Sequence, residues 1–186
     1  MCIRDRSARD QAKDVEVEEE TPRASASSAL DENLSRDSGY NSFNGIGFSR
    51  KQEEAFFDRI EGPNDTDFTW AILDQASRHI GFISLHAINW RHRAGMGGIL
   101  IGERSAWGQG HATDAVRVRT RFAFAQLGLH RINGHTFNPA MKRVYEKAGY
   151  RHEGTARKMF WRDGQWYDVS LFAILEEDWF SNLPAN

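Results

Sequence analysis

The sequence predicts a domain of the α/β (α+β) class, and three stretches carry this prediction. An apolar segment at 99–101 leads through a glycine turn at 107–113 into an amphipathic segment at 114–127, which is typical of a strand, a turn and a helix. A second helix is delimited by the cap residues of the segment 138–149. An Asp-Gly pair at 163–164 lies between two long strand-like segments and predicts a β-hairpin with a tight turn.

The composition favours one globular domain. The chain of 186 residues is 40% hydrophobic and 12% aromatic, which is enough for one sizeable core. A formal net charge of −2 gives no electrostatic reason to expect nucleic acid or a membrane as a partner. Cys2 is the single cysteine, so no disulfide framework or cysteine-based zinc site is expected within one chain. No apolar run approaches the ~18 residues of a membrane span and no signal-peptide pattern is present, so we expect a cytoplasmic protein.

Residues 1–36 are predicted to be a disordered or non-native segment, followed by one folded domain at 37–182. The segment is polar and contains an acidic cluster at 14–20, so it cannot bury enough apolar surface to offset the entropy of ordering. Residues 1–6 are interpreted as a remnant of cloning or assembly. A capping-box pattern beginning at Ser49 predicts the first helix of the folded domain.

The helix after the glycine turn is expected to bury an apolar stripe and to expose its arginines. Helical spacing defines the stripe, which consists of Val118, Phe122, Ala125 and Leu129. The arginines interpreted as a solvated face, rather than as a nucleic-acid patch, are Arg117, Arg119 and Arg121. Upstream, strand-like segments at 68–73 and 79–89 with a short connection predict an antiparallel hairpin.

The glycine turn is a candidate anion-binding site. Gly108 and Gly110 allow a tight turn, and the N–H groups of the following helix start carry partial positive charge, so a phosphate is held there without a lysine. A nucleotide-triphosphate loop is rejected because no lysine precedes the helix. A dinucleotide fingerprint is disfavoured, because Thr113 stands at the third glycine position and Arg131-Ile132-Asn133 at the expected acidic position.

Together with the downstream segment 138–150, this turn resembles the GNAT superfamily of acyl-CoA-dependent N-acyltransferases. The pattern is most similar to the branch that contains ribosomal-protein N-terminal acetyltransferases and spermidine acetyltransferases, and it runs from Ser49 to Trp179. The resemblance implies the GNAT fold, a mixed, mostly antiparallel central sheet that is splayed in the middle and flanked by helices. It is carried, in chain order, by Ile101-Gly102-Glu103, Trp107-Gly108-Gln109-Gly110, Leu127-Gly128-Leu129-His130-Arg131, Tyr145-Glu146-Lys147-Ala148-Gly149-Tyr150, Glu153-Gly154 and Asp163-Gly164.

The resemblance implies acetyl-CoA as co-substrate and assigns its binding residues by position. Leu100, Ile101 and Gly102 match the splayed strand whose backbone pairs with the pantetheine arm. Asn138 matches a residue that hydrogen-bonds the same arm. The pyrophosphate loop and helix start comprise Trp107, Gly108, Gln109, Gly110, His111, Ala112 and Thr113, with Trp107 at the usual glutamine or arginine position.

The resemblance also implies that Tyr145 lies near the coenzyme's sulfur. A phenol at that point is a suitable acid for the departing thiolate. The general base stays open: Glu103 is one candidate, Asp168 and His86 are others, and a water chain is a further alternative. Relatives usually carry a glutamate where this chain has Met96, and a methionine cannot accept a proton.

The N-terminus is a second departure from the family pattern. Family members begin with a strand and a helix that form one wall of the acceptor pocket, and residues 1–36 resemble neither. We therefore expect the sheet to lack that edge strand and the acceptor pocket to be more open.

Two functions of different classes follow. The first is an acetyl-CoA-dependent N-acetyltransferase that acetylates a primary amine, either a protein N-terminus or a small amine such as a polyamine, by direct attack in a ternary complex. The alternative is a catalytically silent acyl-CoA-binding or interaction module of the same fold. The seven histidines show no metal-ligand spacing, so no metal is expected. Neither nucleic acid nor a membrane is an expected partner, and the chain is expected to be a monomer or a homodimer.

Overall fold

The computed structural model describes residues 2–4, 51, 54, 55, 58 and 65–181. Seven strands lie in that part of the chain. They are β1 (Cys2–Arg4), β2 (Phe68–Leu73), β3 (His79–Asn89), β4 (Ala94–Ile101), β5 (Arg131–Thr136), β6 (Arg151–Arg162) and β7 (Gln165–Leu175). They form one sheet in the order β1-β2-β3-β4-β5-β7-β6.

Three helices lie in the described range 65–181, one after each of β4, β5 and β7. They are α1 (His111–Ala125), α2 (Pro139–Lys147) and α3 (Glu176–Ser181), and a short 3-10 helix at Arg104–Ala106 precedes α1. Residues 51, 54, 55 and 58 are helical, as predicted for the segment after Ser49. The proposed cap residues of that helix, Ser49 and Gln52, lie outside the described residues.

The sheet is mixed and mostly antiparallel, which confirms the predicted fold. β2, β3 and β4 form an antiparallel meander, and β5, β7 and β6 are also joined by antiparallel pairs. The two halves meet where β4 pairs in parallel with β5. Because β4 and β5 run in the same direction, their carboxyl ends lie at the same edge of the sheet.

β1 differs from what the sequence predicts. Residues 1–6 are interpreted above as extraneous and the edge strand as missing, whereas Cys2–Arg4 pair in parallel with β2 through Cys2 and Ala71. A strand of three residues is too short to show the alternation by which strands are recognised. The remainder of 1–36 lies outside the described residues, so the boundary between 1–36 and 37–182 stays a prediction.

The buried face of α1 matches only in part the one that the apolar pattern predicts. Its buried residues are Ala115, Val116, Arg119, Thr120, Ala123 and Phe124. Ala125 is exposed, whereas Val118 and Phe122 pack beside the core and Leu129 is fully buried. The interpretation of Arg119 as a solvated residue is therefore wrong, since its exposed fraction is 0%. Arg119 and Thr120 are polar, so a search for apolar residues at helical spacing does not assign them to the buried face.

The caps and the hairpin turn are confirmed. The Asn138 side-chain oxygen accepts a hydrogen bond from the Ala140 N–H at 2.9 Å, and Pro139 begins α2. Gly149, just beyond that helix, has φ of 89°, which is the left-handed conformation that a glycine adopts without strain. Asp163 and Gly164 both have positive φ, as the tight turn between β6 and β7 requires.

Candidate active site

β4 and β5 separate into a cleft near the middle of the sheet. They are paired only over three residues each, ending with Met96 opposite Asn133. Beyond that point β4 stays paired with β3, as far as Ile101 opposite Gly81, while β5 stays paired with β7. The strands therefore diverge from Gly97 onward, which leaves backbone groups on the inner edges of both strands available to a ligand.

The backbone groups of β4 that face this cleft can be read from its pairing with β3. The Gly102 N–H donates to the Ile80 carbonyl at 3.0 Å, so Gly102 faces β3. Backbone groups alternate in direction along an antiparallel strand. Leu100 and Gly102 therefore direct their backbone groups towards β3, and Ile99 and Ile101 direct theirs into the cleft. Of the three strand residues assigned from the sequence, only Ile101 directs its backbone into the cleft, as does Ile99, which the sequence did not single out.

The glycine loop lies directly after the cleft strand. Gly108 and Gly110 have φ of 76° and 98°, and a methyl group built on either would meet nothing within 4 Å. No other described residue therefore covers the loop at either glycine. The N–H groups of Thr113 and Asp114 both donate to the Gly110 carbonyl, which begins α1. Earlier N–H groups of a helix have no intrahelical acceptor, so the loop fits a pyrophosphate group.

Trp107 fastens this loop to the cleft. Its indole N–H donates to the Ile101 carbonyl at 2.9 Å, while 52% of the residue stays exposed. Gln109 is exposed and its amide donates to the Ser105 carbonyl. The side chains of both residues thus brace the loop, and its backbone is left to bind an anion. His111, Ala112 and Thr113 form the first turn of α1, as predicted.

Asn138 lies at the far side of the cleft, between β5 and α2. Its side-chain oxygen caps α2, and its backbone N–H donates to the Thr136 hydroxyl at 3.0 Å. The amide NH₂ is therefore the part of this side chain that is suited to donate to a ligand.

Tyr145 fills the base of the cleft. It is 2% exposed, and its ring packs 5.1 Å from the Tyr150 ring and 5.2 Å from the Phe172 ring. Its hydroxyl donates to the Gly97 carbonyl at 3.5 Å, at the first residue of the divergence. A methyl group on Gly134 of β5 would lie 2.4 Å from that hydroxyl, so glycine is needed there. Burial raises the pKa of Tyr145 to about 12, so the phenol is protonated at neutral pH.

Glu103 and Asp168 are engaged elsewhere. The Glu103 carboxylate caps the 3-10 helix, accepting hydrogen bonds from the Ser105 hydroxyl at 2.7 Å and the Ser105 N–H at 3.0 Å. These bonds lower the pKa of Glu103, which weakens it as a base. The Asp168 carboxylate accepts from the Lys158 N–H at 2.8 Å, between β6 and β7. The hydrogen bonds of both carboxylates are thus made to Ser105 and Lys158, and that of the Tyr145 hydroxyl to Gly97.

Two histidines lie on the sheet face opposite Tyr145. His86 is the cross-strand partner of Met96, which in turn pairs with Asn133, and His135 is two residues further along β5. Paired residues share a face and alternate residues return to it, so all four side chains lie on the same side. The His86 ring is 3.2 Å from the Ser84 hydroxyl and beside Gly98, which has no side chain to obstruct it. Burial lowers the pKa of both histidines, which keeps them neutral at pH 7.

The helical face of the same sheet holds the Tyr145 hydroxyl and the Arg119 guanidinium. A methyl group on Gly97 would lie 2.4 Å from the guanidinium carbon of Arg119, just as one on Gly134 would strike Tyr145. Because Gly97 and Gly134 have no side chains, the Arg119 guanidinium and the Tyr145 hydroxyl can lie against the diverging strands on the helical face of the sheet. The arrangement places a protonated phenol on one face, neutral imidazoles on the other and the glycine loop at the open end.

The described residues show neither a candidate metal cluster nor a candidate membrane span. Among those residues, no group of three or more histidines, cysteines, aspartates and glutamates is arranged to hold a metal ion. None of the helices found there is long and apolar enough to pass through a lipid bilayer.

A mixed sheet with diverging parallel strands, followed by a glycine loop that opens a helix, is the arrangement expected of an acyl-CoA-dependent acyltransferase. The chain belongs to the GNAT acetyltransferase family: the family described as "Acetyltransferase (GNAT) domain" matches residues 23–151. It is an N-acetyltransferase, an enzyme that transfers an acetyl group to an amine, and its family uses acetyl-CoA. The resemblance seen in the sequence is thereby confirmed. The match begins within the segment 1–36.

Individual relatives agree with this family. The probable N-acetyltransferase YjcK of Bacillus subtilis (strain 168) is 35% identical over 135 residues, which cover 69% of this chain and 72% of that protein. The putative ribosomal N-acetyltransferase YdaF of the same organism is 30% identical over 101 residues, covering 53% and 55% of the two chains.

Solved structures share the fold. The spermidine N-acetyltransferase from Vibrio cholerae in complex with CoA and spermine superposes with a TM-score of 0.70 and 24% identity, covering 81% of this chain and 86% of that one. A dodecameric structure of spermidine N-acetyltransferase from the same organism superposes with a TM-score of 0.69 and 23% identity. The superposition covers 82% of this chain and 90% of that one.

Proposed function

We propose that this enzyme acetylates a primary amine by direct attack on acetyl-CoA within a ternary complex, with a polyamine or a protein N-terminus as the acceptor. The observation that carries the proposal is the cleft between β4 and β5, with Tyr145 on one face and His86 on the other. Both substrates reach such a cleft at once, so the acetyl group can pass directly from the thioester to the amine.

Acetyl-CoA is expected to enter along the cleft with its pyrophosphate at the glycine loop. The N–H groups of the loop and of the start of α1 bind the phosphates, as helix N-termini commonly do. The inward N–H and C=O groups of Ile99, and the N–H of Ile101, pair with the pantetheine arm, and the Asn138 amide donates to it from the other side. An N–H on β4 also donates to the carbonyl oxygen as negative charge develops there.

The reaction requires two proton transfers. The amine nitrogen forms a bond to the carbonyl carbon, the carbon–sulfur bond breaks, and its electron pair goes to sulfur. The Tyr145 hydroxyl donates a proton to that sulfur. The proton released by the attacking amine leaves on the opposite face of the sheet, where the acceptor enters.

His86 is the side chain best placed to accept this proton. It is half-buried and neutral, and it lies opposite Met96 beside the unobstructed Gly98. Glu103 is less suitable because its carboxylate is already bound to Ser105. The charged or titratable groups that act on His86 are Asp67, Arg119 and His135; Asp67 raises its pKa and the other two lower it.

Replacing His86 by glutamine is expected to lower kcat about 100-fold at pH 7, since a positioned base typically contributes at least this much. The deficit should shrink as the pH approaches the pKa of the acceptor, because the amine then loses its proton without help. The measurement is thiol release from acetyl-CoA between pH 5.5 and 9.5 at saturating concentrations of both substrates.

His135→Gln is the matched control for this variant. His135 is also half-buried, has a lowered pKa and lies on the same face. It is expected to keep most of the activity. If His135→Gln lost its activity while His86→Gln stayed active, the base would be on β5.

A second variant, Met96→Glu in the His86→Gln background, places a carboxylate opposite position 86 and should restore part of kcat.

The acceptor class is tested with a panel. Thiol release from acetyl-CoA is measured with spermidine, spermine, simple diamines and peptides that carry different N-terminal residues. Turnover with polyamines alone or with peptides alone identifies the class. Binding of CoA without thiol release for any acceptor would instead favour a silent acyl-CoA-binding module, the alternative suggested by methionine at position 96.

A further inference from the structure

Arg119 is a fully buried cation. It lies on α1 with an exposed fraction of 0%, and among the described residues no carboxylate is within ion-pair distance of it. Its partners are neutral: one terminal nitrogen donates to the Tyr150 hydroxyl at 2.9 Å, and the other to the carbonyls of Ser84 and Gly98 at 3.3 and 3.4 Å. Its Nε has no hydrogen-bond partner.

Such a placement is unfavourable for folding alone. A cation removed from water is costly unless a carboxylate compensates it, and apolar side chains of similar volume usually replace buried charges without loss of stability. The rest of the buried face of α1 is small or apolar except for Thr120. The position of the charge in relation to the cleft therefore calls for a functional reason.

The guanidinium lies directly behind the point where β4 leaves β5. The absent side chain of Gly97 makes room for it, and the Gly97 carbonyl accepts the hydrogen bond from Tyr145. The Tyr150 hydroxyl, which Arg119 binds, belongs to the ring that packs against Tyr145. Arg119 and the proposed acid thus approach the same residue of β4 from the same face.

We propose that Arg119 is a positioning residue for the acid: its buried charge stabilises the anion that forms while the Tyr145 proton passes to the departing sulfur. The inference rests on the proposed function. The proton leaves the phenol, the carbon–sulfur electron pair goes to sulfur, and the phenolate later regains a proton from water. In a site closed to water, a fixed cation nearby stabilises negative charge more strongly than it would in solvent.

The electrostatic effect on Tyr145 has the required sign. The positive charge of Arg119 lowers the pKa of the phenol, against the rise that burial and the neighbouring Tyr150 produce. Without the arginine, the phenol would be a still weaker acid. The Tyr150 hydroxyl accepts the hydrogen bond from the guanidinium and lies 2.9 Å from the Thr120 hydroxyl, which helps to keep it in place.

The test compares Arg119→Met and Arg119→Lys with Arg121→Met, which removes an exposed arginine from the same helix. We expect kcat to fall about tenfold in Arg119→Met, with KM for both substrates nearly unchanged, since only the proton transfer is affected. Arg119→Lys should recover part of kcat, and Arg121→Met should match the parent. The melting temperature of Arg119→Met should be equal or higher, because an uncompensated buried cation has been removed.

Two further measurements separate this effect from a structural one. In a Tyr145→Phe background, Arg119→Met should cause little further loss of kcat, because the acid that it supports is gone. Ring-labelled tyrosine NMR should show Tyr145 titrating at a higher pH in Arg119→Met, with Tyr145→Phe assigning the signal. Equal titration curves, or additive losses in the double variant, would overturn the proposal. If the parent chain releases no thiol, the proposed function fails, while the titration still tests the coupling of Arg119 to Tyr145.

Discussion

Tyr145→Phe is expected to lower kcat about 100-fold at neutral pH, which is the usual contribution of a general acid. The reason is chemical: the ring that packs against Tyr150 and Phe172 is kept, and only the donor hydroxyl is lost. That hydroxyl makes a single long hydrogen bond of 3.5 Å, so the stability of the fold should change little. The measurement is kcat at saturation with both substrates, together with the melting temperature.

Tyr167→Phe provides the control for loss of a phenol hydroxyl. Tyr167 lies on β7 near the hairpin, where its ring packs against Phe137. It should retain parental turnover. A Tyr145→Phe variant with full kcat would remove the tyrosine from the mechanism and leave water as the source of the proton.

Gly134→Ala should have an effect of similar size through a different cause. The new methyl group would lie 2.4 Å from both the Tyr145 hydroxyl and the ring carbon that bears it, so the ring or β5 has to move. Overpacking of this kind costs typically about 1–3 kcal/mol of stability. Because the acid is displaced from the cleft, kcat should also fall about 30-fold, somewhat less than for its removal.

Gly154→Ala is the matched control, since it places a methyl group on another strand where nothing lies within 4 Å. It should change neither kcat nor the melting temperature appreciably. In the Gly134→Ala/Tyr145→Phe double variant, the stability loss should persist while kcat falls little below that of Tyr145→Phe. Additive losses of kcat would show that Gly134 acts on turnover by some route other than Tyr145.

Local motifs in the sequence predicted much of the chain correctly, because each rests on hydrogen bonds between near neighbours. Asn138 caps α2 through a residue two positions away, and the turns at Gly149 and Gly164 depend on their own φ angles. The glycine loop is of the same kind. Its geometry is set within a few residues, and its recognition led to the family that the comparisons confirm.

The placement of the catalytic candidates was less accessible to sequence reasoning. Glu103 follows the cleft strand in the chain, and only its contacts show that Ser105 occupies its carboxylate. Ile99 and Leu100 are equally apolar, so the sequence does not tell which directs its backbone into the cleft. The direction of each backbone group depends on the register between β4 and β3. That register is set by the pairing of the two strands across their hairpin, which places Ile83 opposite Ile99.

The sequence by itself determined the class of fold, the limits of α2, the glycine turn before α1 and the family, which uses acetyl-CoA. Tertiary structure alone decided that Arg119 is buried, because its partners Tyr150 and Ser84 are 31 and 35 positions away and belong to other elements. It also decided that Tyr145 and His86 lie on opposite faces of the cleft. A local pattern records which residues share one helix or one strand, whereas the opposition of Tyr145 and His86 arises only when β4 and β5 pair and then diverge.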